Sequence, residues 1–116
     1  MPNFNISHED RVRLRHMLDA AMEIQQYVTS SKREDLDSDR KLVHSLVRLF
    51  EITGEAASQV SEELRENLNE IPWFIIIGMR NRLVHAYFSI NLDVVWETSI
   101  KDIPPLIEEL KWILNR

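Results

Sequence analysis

A short stretch in the second half of the chain, GMRNRLVHAYF from Gly78 to Phe88, carries the residues best suited to chemistry. A histidine can transfer protons near neutral pH, and the guanidinium group of an arginine presents a fork of donors that matches phosphate oxygens. The stretch directly follows the uninterrupted apolar run WFIII, which favours burial of this part of the chain. Charged side chains are rarely buried unless they are paired or have a function. The polar residues of interest in it are Arg80, Asn81, Arg82, His85 and Tyr87.

Other kinds of reactive site find little support in the sequence. The chain has no cysteine, which excludes disulfides, thiolate metal sites and a cysteine nucleophile. It also has no phosphate-binding glycine loop and no glycine-flanked serine of the hydrolase type. His16 and Asp19, three residues apart, form the one pair of histidine and carboxylate spaced as neighbours on a helical face. Two ligands alone are weak evidence for a metal. We therefore predict a site without a metal or a cofactor.

The spacing of the polar residues limits how they can meet. On a continuous helix, Asn81 and His85 lie one turn apart, so the amide of Asn81 can orient the imidazole. Arg80 then lies about 140 degrees around the helix from His85. These two side chains can converge if the helix ends near His85, or if a second copy of the chain packs across it. Tyr87 returns to the side of Arg80 if the helix persists that far.

The elements that must position these residues are predicted to be helices. Two glycines and four prolines in 116 residues leave few signals for hairpins or tight turns, so we predict an all-α bundle of about five helices. The spacing of apolar residues and the capping residues indicate these segments. They are a first helix over residues 7–29; a second, capped by Asp37 or Ser38 and continuing to Val60; a third that Pro72 opens at its first position; a short fourth over VVWETSI; and a fifth that starts at Asp102 and Pro104.

Gly54 is an exception inside the second predicted helix. Glycine in a helix interior costs about 1 kcal/mol relative to alanine unless another element packs closely against its backbone. We therefore expect either a weak point in the helix or a close contact at this position.

Length and charge restrict the class of protein. The chain is long enough for one domain with its own core, and we predict a single domain over residues 1–116. A net charge of -5 argues against a protein that coats nucleic acid with a broad basic surface, although a local basic patch remains possible. No apolar run approaches the roughly 18 residues expected of a membrane span, and no signal segment is visible. We predict a cytoplasmic protein.

The order Arg80, four residues, His85, one residue, Tyr87 resembles the R-x4-H-x-Y motif of the HEPN superfamily, and in particular its HepT-like toxin branch. The similarity also covers LFEITGEAA, IPWFIIIGMRNRLVHAYFSINLDVVWE and DIPPLIEEL, from about residue 10 to the C-terminus. This resemblance implies an all-helical HEPN-type bundle, a homodimer, and metal-independent ribonuclease chemistry in a cleft where two motif copies face each other. It further implies a partner, a small nucleotidyltransferase-like antitoxin of the MNT type that modifies Tyr87 with AMP.

The residue chemistry agrees with these implications. Cleavage of RNA without a metal needs a group that moves protons at the 2'-hydroxyl and the leaving oxygen, and His85 suits that role. Arg80 suits the charge that develops on the non-bridging phosphate oxygens. With the 2'-hydroxyl as nucleophile, the product is a 2',3'-cyclic phosphate. Accessible single-stranded or looped RNA, such as part of a tRNA or an mRNA, is the expected substrate.

Several structural interpretations compete with the functional ones. An arginine and a histidine near a helix end often bind the last carbonyl groups of that helix. Arg82 can bind phosphate or form a salt bridge between helices, and Glu51 and Glu55 can hold the motif arginines or simply be surface acids. For the whole protein, the alternative is a non-catalytic helical adaptor that binds a nucleotide or docks a nucleotidyltransferase.

Other residues outside the motif also have two interpretations. Arg11 and Arg15 share one helical face, which allows a small RNA-contacting ridge. The three tryptophans, Trp73, Trp96 and Trp112, are expected in the core or at a dimer interface, with base stacking as the alternative.

Overall fold

A computed structural model of the chain describes residues 5–86 and 89–115, with every side chain in these ranges except those of residues 80 and 84–86. The described part contains eight helices and one two-stranded antiparallel hairpin, so the predicted all-α fold is confirmed. The elements are α1 (His8–Thr29), α2 (Asp35–Ser38), α3 (Arg40–Ser58), α4 (Glu62–Asn67), α5 (Trp73–Ile77), α6 (Met79–Leu83), β1 (Val84–Ala86), β2 (Ser89–Ile90), α7 (Leu92–Lys101) and α8 (Ile103–Leu114).

The first helix begins and ends where the sequence predicts. The hydroxyl oxygen of Ser7 accepts a hydrogen bond from the backbone N–H of Asp10 at 3.0 Å, which caps α1. One stripe of α1 is buried against α3 and α8, and these three helices form the centre of the bundle. The stripe consists of Leu14, Met17, Leu18, Ala21, Ile24 and Val28.

The buried carboxylate of Asp10 joins α1 to α4. It accepts hydrogen bonds from the backbone N–H of Ser61 at 2.8 Å and from the hydroxyl of Ser61 at 2.6 Å. The same hydroxyl oxygen caps α4 by accepting from the backbone N–H of Leu64. Two hydrogen bonds to one carboxylate satisfy a group that would otherwise be costly to bury.

The second predicted helix corresponds to α3, with both ends shifted. Asp39 is the N-cap and accepts from the backbone N–H of Leu42 at 3.1 Å, so the predicted caps at Asp37 and Ser38 are wrong. Those two residues belong to the short helix α2, which forms because Leu36 is buried. At its other end α3 stops at Ser58, since the chain turns there to begin α4.

The third predicted helix is not continuous. Pro72 is the residue before α5 rather than its first residue, and the helix starts at Trp73, whose indole N–H donates to the carbonyl of Leu68 at 2.9 Å. The helix is interrupted at Gly78 and resumes as α6, which ends at Leu83. The chain then enters the β1–β2 hairpin, where Val84 pairs with Ile90.

The sequence after Leu83 explains this break. VHAYFSI is rich in β-branched and aromatic residues, which favour extended backbone. The N–H of Asn91 donates to the carbonyl of Leu83 at 2.8 Å, so the hairpin satisfies the last carbonyl of α6. The Asn91 side chain then caps α7 by accepting from the N–H of Val94.

The last two helices agree broadly with the prediction. Helix α7 begins at Leu92, two residues before the predicted segment, because Asn91 supplies its cap. Helix α8 follows Asp102 and has a proline in its first turn, as predicted. No helix in the described ranges is both long and apolar enough to cross a membrane.

Candidate functional site

Helix α5 lies in direct contact with the backbone of α3 at Gly54. A Cβ atom at Gly54 would lie 2.9 Å from the carbonyl oxygen of Ile76 and 3.4 Å from that of Ile77. The first distance is too short for a side chain, so only glycine allows this approach. The predicted close contact at Gly54 is therefore present, and it fixes the end of α5 immediately before the polar motif.

The polar motif is divided between two elements. Arg80, Asn81 and Arg82 lie on the single turn of α6, whereas His85 lies in strand β1. The side chains of Asn81 and Arg82 are exposed. Tyr87 lies outside the described residues, as do the side-chain positions of Arg80 and His85.

The geometry expected of a straight helix is wrong for this motif. Helix α6 ends at Leu83, so Asn81 and His85 are not one helical turn apart, and the separation of about 140 degrees between Arg80 and His85 does not apply. The helix ends two residues before His85, which is the condition for the first of the two ways in which Arg80 and His85 can meet. Arg80 lies at the start of α6 and His85 lies beyond its end, so convergence of the two side chains within one chain stays a prediction.

An apolar groove lies on one side of α5 and α6, between these helices and the start of α8. Its volume is about 450 Å³, and its floor is formed by buried apolar side chains. Arg82 lies at its edge together with three acidic side chains, Glu70, Asp102 and Glu109. The floor consists of Ile71, Ile76, Met79, Ile103 and Leu106.

A polar trough lies on the other side of α5, along the exposed stripe of α3. It is made of two adjoining hollows of about 290 and 190 Å³ that share Glu55. Glu51 is half-buried there and lies 4.0 Å from the guanidinium of Arg48, whereas Glu55 is exposed. That either acid holds Arg80 remains a prediction; Arg82 lines the groove on the opposite side of α5.

The arginines of α1 have roles that the sequence did not distinguish. Arg11 is half-buried and donates a hydrogen bond to the carbonyl of Leu114 at 3.4 Å, at the end of α8. This contact gives Arg11 a structural role, so the RNA-contacting ridge that the sequence allows for Arg11 and Arg15 has no support from Arg11. Arg13 lines the polar trough instead, together with His16.

The tryptophans and the pair of His16 and Asp19 also have clear positions. Trp73 is buried and Trp96 is half-buried against the core, which confirms the core interpretation for both, while Trp112 is partly exposed. His16 and Asp19 are both exposed. No group of three or more potential metal-binding side chains occurs among residues 5–86 and 89–115, the described ranges.

Comparison with known proteins identifies the family. A family model described as Ribonuclease HepT-like matches residues 17–113, a segment that includes the whole R-x4-H-x-Y motif. The chain belongs to the HepT-like ribonuclease family. This family lies within the HEPN superfamily, so the resemblance seen in the motif is confirmed, and the all-helical structure is compatible with the HEPN fold.

Several relatives share most of the chain. A protein of Caldanaerobacter subterraneus subsp. tengcongensis with the name "Putative RNase" is 38% identical over 89% of this chain and 92% of its own length. A Thermococcus cleftensis protein named "Probable ribonuclease HepT" is 34% identical over 86% of this chain and 89% of its own length. A protein of Methanocaldococcus jannaschii named "Gamma-glutamylcyclotransferase and putative RNase" is 35% identical over 90% of this chain but only 47% of its own length. No solved structure matches the chain significantly.

Proposed function

We propose that this HepT-like protein is a toxin-type, metal-independent endoribonuclease that acts in the cytoplasm, with Arg80 and His85 as its catalytic residues. The observation that supports the proposal is the end of α6 at Leu83, because this break removes the straight helix that would hold Arg80 and His85 on different sides. Membership of the family and the ribonuclease names of its relatives support the same reaction class.

The proposed reaction is an attack by the RNA on its own backbone. His85 takes part in removing the proton of the 2'-hydroxyl or in protonating the leaving 5'-oxygen, since histidine exchanges protons near neutral pH. The 2'-oxygen bonds to phosphorus, the bond from phosphorus to the 5'-oxygen breaks, and a 2',3'-cyclic phosphate forms. Arg80 stabilises the charge on the non-bridging oxygens, because its planar group can bind two of them together.

Asn81 and Arg82 are proposed to support this chemistry. Both side chains are exposed on α6 and can therefore reach a bound RNA strand. The amide of Asn81 can donate to a phosphate or a ribose hydroxyl, and Arg82 can bind a phosphate next to the cleaved one.

A homodimer is proposed to bring two motifs into one cleft. Phe74 is 91% exposed and Ile75 is 45% exposed on α5, which precedes the motif, and the apolar groove adjoins them. A large apolar side chain beside an apolar groove suits a two-fold interface, in which each copy offers both features to the other. The motifs would then face each other across the axis.

Regulation is proposed to act through Tyr87. An MNT-type nucleotidyltransferase antitoxin would transfer AMP to its phenolic oxygen. The adenylate would bring negative charge to the arginines that bind RNA, and its bulk would fill the cleft. The modified protein would therefore be inactive.

The proposed activity is tested by incubating the purified protein with total RNA in the presence of EDTA. Cleavage that leaves 2',3'-cyclic phosphate ends, and that His85→Ala reduces by about 10²- to 10⁴-fold, is the expected result. Arg15→Ala is the control, because Arg15 is exposed on α1 and lines none of the grooves described above. Intact RNA at high protein concentration would contradict the enzyme and favour the non-catalytic adaptor.

A further inference from the structure

The polar trough is bounded by three elements, two of which, α3 and α5, contact the helix that carries Arg80. Its floor is the exposed stripe of α3, one wall is α1, and the other is the end of α5 at Ile77. Helix α6, which carries Arg80, begins two residues after Ile77 and packs against α3. A strand of nucleic acid that lies in the trough would therefore lead directly to the proposed catalytic residues.

The side chains along the trough suit an RNA backbone. Arg48 and Arg13 stand in the two adjoining hollows, and His16 lies one turn after Arg13 on α1. Guanidinium groups bind phosphate oxygens with two parallel hydrogen bonds, and the amide of Gln59 can donate to ribose hydroxyls. The hydroxyl of Ser58 donates to the carbonyl of Glu55 at 2.6 Å, and its oxygen can accept from a ribose hydroxyl. The hollows thus combine phosphate-binding groups with groups that distinguish RNA from DNA.

The arginine side chains of the trough are accessible and only weakly paired, so they can bind a ligand. The side chain of Arg48 is 68% exposed, and its distance of 4.0 Å to Glu51 is at the limit of an ion pair. Exposed pairs of this kind contribute little stability, so a phosphate can replace the carboxylate as the partner of Arg48. No salt bridge involving Arg13 is found in the described part of the structure, where it is half-buried.

The groove on the other side of α5 is a poorer path for RNA. Its edge combines one arginine, Arg82, with the carboxylates of Glu70, Asp102 and Glu109, which repel phosphates. The trough is lined by two arginine and two glutamate side chains, so its charges balance. In a chain with a net charge of -5, this difference decides which side of α5 an anionic strand prefers.

We propose that the trough binds the RNA strand that flanks the cleaved bond, with Arg48 and Arg13 each contacting a phosphate and His16 contacting a neighbouring base or ribose. The proposal rests on the ribonuclease activity proposed above and extends it, since it explains how an acidic protein holds RNA through a few local contacts. It also predicts that part of the affinity depends on nucleotides outside the cleaved dinucleotide.

The test compares two substrates of different length. One is a dinucleotide and the other is a single-stranded RNA of about 12 nucleotides, long enough to fill a typical single-strand binding surface. Arg48→Ala and Arg13→Ala should each lower the ratio of kcat/KM for the long RNA to that for the dinucleotide by about tenfold, as expected for the loss of one charge-assisted hydrogen bond. Binding of a labelled long RNA should show a slope of log affinity against log salt that is smaller by about 0.7 for each variant.

Two exposed arginines provide matched controls. Arg15→Ala changes a side chain on α1 two residues from Arg13, and Arg40→Ala changes the start of α3; neither side chain lines the trough. Both variants should keep the wild-type substrate ratio and salt slope. Because Arg48 is largely exposed, its replacement should leave the thermal unfolding temperature unchanged, which separates RNA binding from folding.

The outcomes are distinguishable. An unchanged ratio of kcat/KM values and an unchanged salt slope in both Arg48→Ala and Arg13→Ala would overturn the proposal that the trough binds RNA. If the same variants bind RNA like wild type but no longer bind the proposed MNT-type antitoxin in a pull-down, the RNA assignment is also overturned and the trough is a protein-binding surface. Failure of the wild-type protein to cleave either substrate would instead contradict the proposed activity, and the salt slope of binding would still test the trough.

Discussion

Gly54 of α3 lies against the carbonyl of Ile76 in α5, so closely that a Cβ atom at Gly54 would be 2.9 Å from that oxygen. This contact is four residues from Arg80 along the chain. It sets how near the end of α5 lies to α3, and therefore where α6 begins. A glycine on α3 thus helps to position the segment that leads into the proposed catalytic motif.

Gly54→Ala tests this contact. In an ordinary helix the change would stabilise by about 1 kcal/mol, but here the methyl group collides with backbone, and overpacking of this kind typically costs about 1–3 kcal/mol. We expect a lower free energy of unfolding and a lower ribonuclease activity. Urea denaturation and RNA cleavage are the measurements.

Gly78→Ala is the matched control. A Cβ atom there would lie 3.3 Å from the carbonyl oxygen of Phe74, a contact that a small shift can relieve. We expect a smaller change in stability than in Gly54→Ala. A Gly54→Ala protein as stable and as active as wild type would show that α5 does not depend on this approach.

The sequence predicted the helices whose signals are local. α1 has a clear cap at Ser7 and a stripe of apolar residues at helical spacing, and α8 has a proline in its first turn. The break in the third helix was not predictable in the same way. WFIIIGMRNRLV is compatible with a helix throughout, and the hairpin after Leu83 depends on pairing between two very short strands.

The site could be predicted in part. Arg80 and His85 were selected because they cluster with other polar residues in one short stretch and because that stretch resembles the R-x4-H-x-Y motif; their catalytic roles stay predictions. The role of Arg13 could not be separated from that of Arg11, since both lie in the run RVRLR and the rotation of α1 is set by its packing on α3 and α8. Only the structure shows that Arg11 binds the end of α8 while Arg13 lines the trough.

Dimerisation is expected to depend on Phe74. Its side chain is almost fully exposed, so replacement by glutamate should not disturb the monomer, whereas a charge at an apolar interface is costly. Sedimentation at micromolar concentration should show a dimer for wild type and a monomer of 13.7 kDa for Phe74→Glu. Met22→Glu, at an exposed apolar residue of α1, should remain dimeric. A monomeric wild-type protein would remove the shared cleft.

Modification with AMP is expected on one of the two tyrosines of the chain. After co-expression with a nucleotidyltransferase partner, mass spectrometry should detect one added AMP group, and Tyr87→Phe should abolish it. Tyr27→Phe is the internal control, because Tyr27 is partly exposed on α1 and lies outside the motif. The modified protein should lose its ribonuclease activity. Added mass that persists in Tyr87→Phe would contradict this form of regulation.

Mixed dimers can show whether the two proposed catalytic residues act from one chain or from two. A straight helix would favour a site shared between chains, because Arg80 and His85 would face different sides. Since α6 ends at Leu83, we instead expect each chain to supply both residues of one site. A dimer of one Arg80→Ala chain and one His85→Ala chain should then be inactive, because neither chain keeps the pair.

The reciprocal mixture makes this prediction decisive. A dimer of one wild-type chain and one chain with both substitutions should keep about half of the activity when the site lies within one chain, since one complete pair remains. A site shared across the interface predicts the opposite pattern. The dimer of the two single variants then keeps one complete pair of Arg80 and His85, and the dimer of wild type and the double variant keeps none. Isolated heterodimers with different affinity tags allow both measurements on the same RNA. Activity in the dimer of single variants, with none in the reciprocal one, would assign Arg80 and His85 of each site to different chains despite the end of α6 before His85.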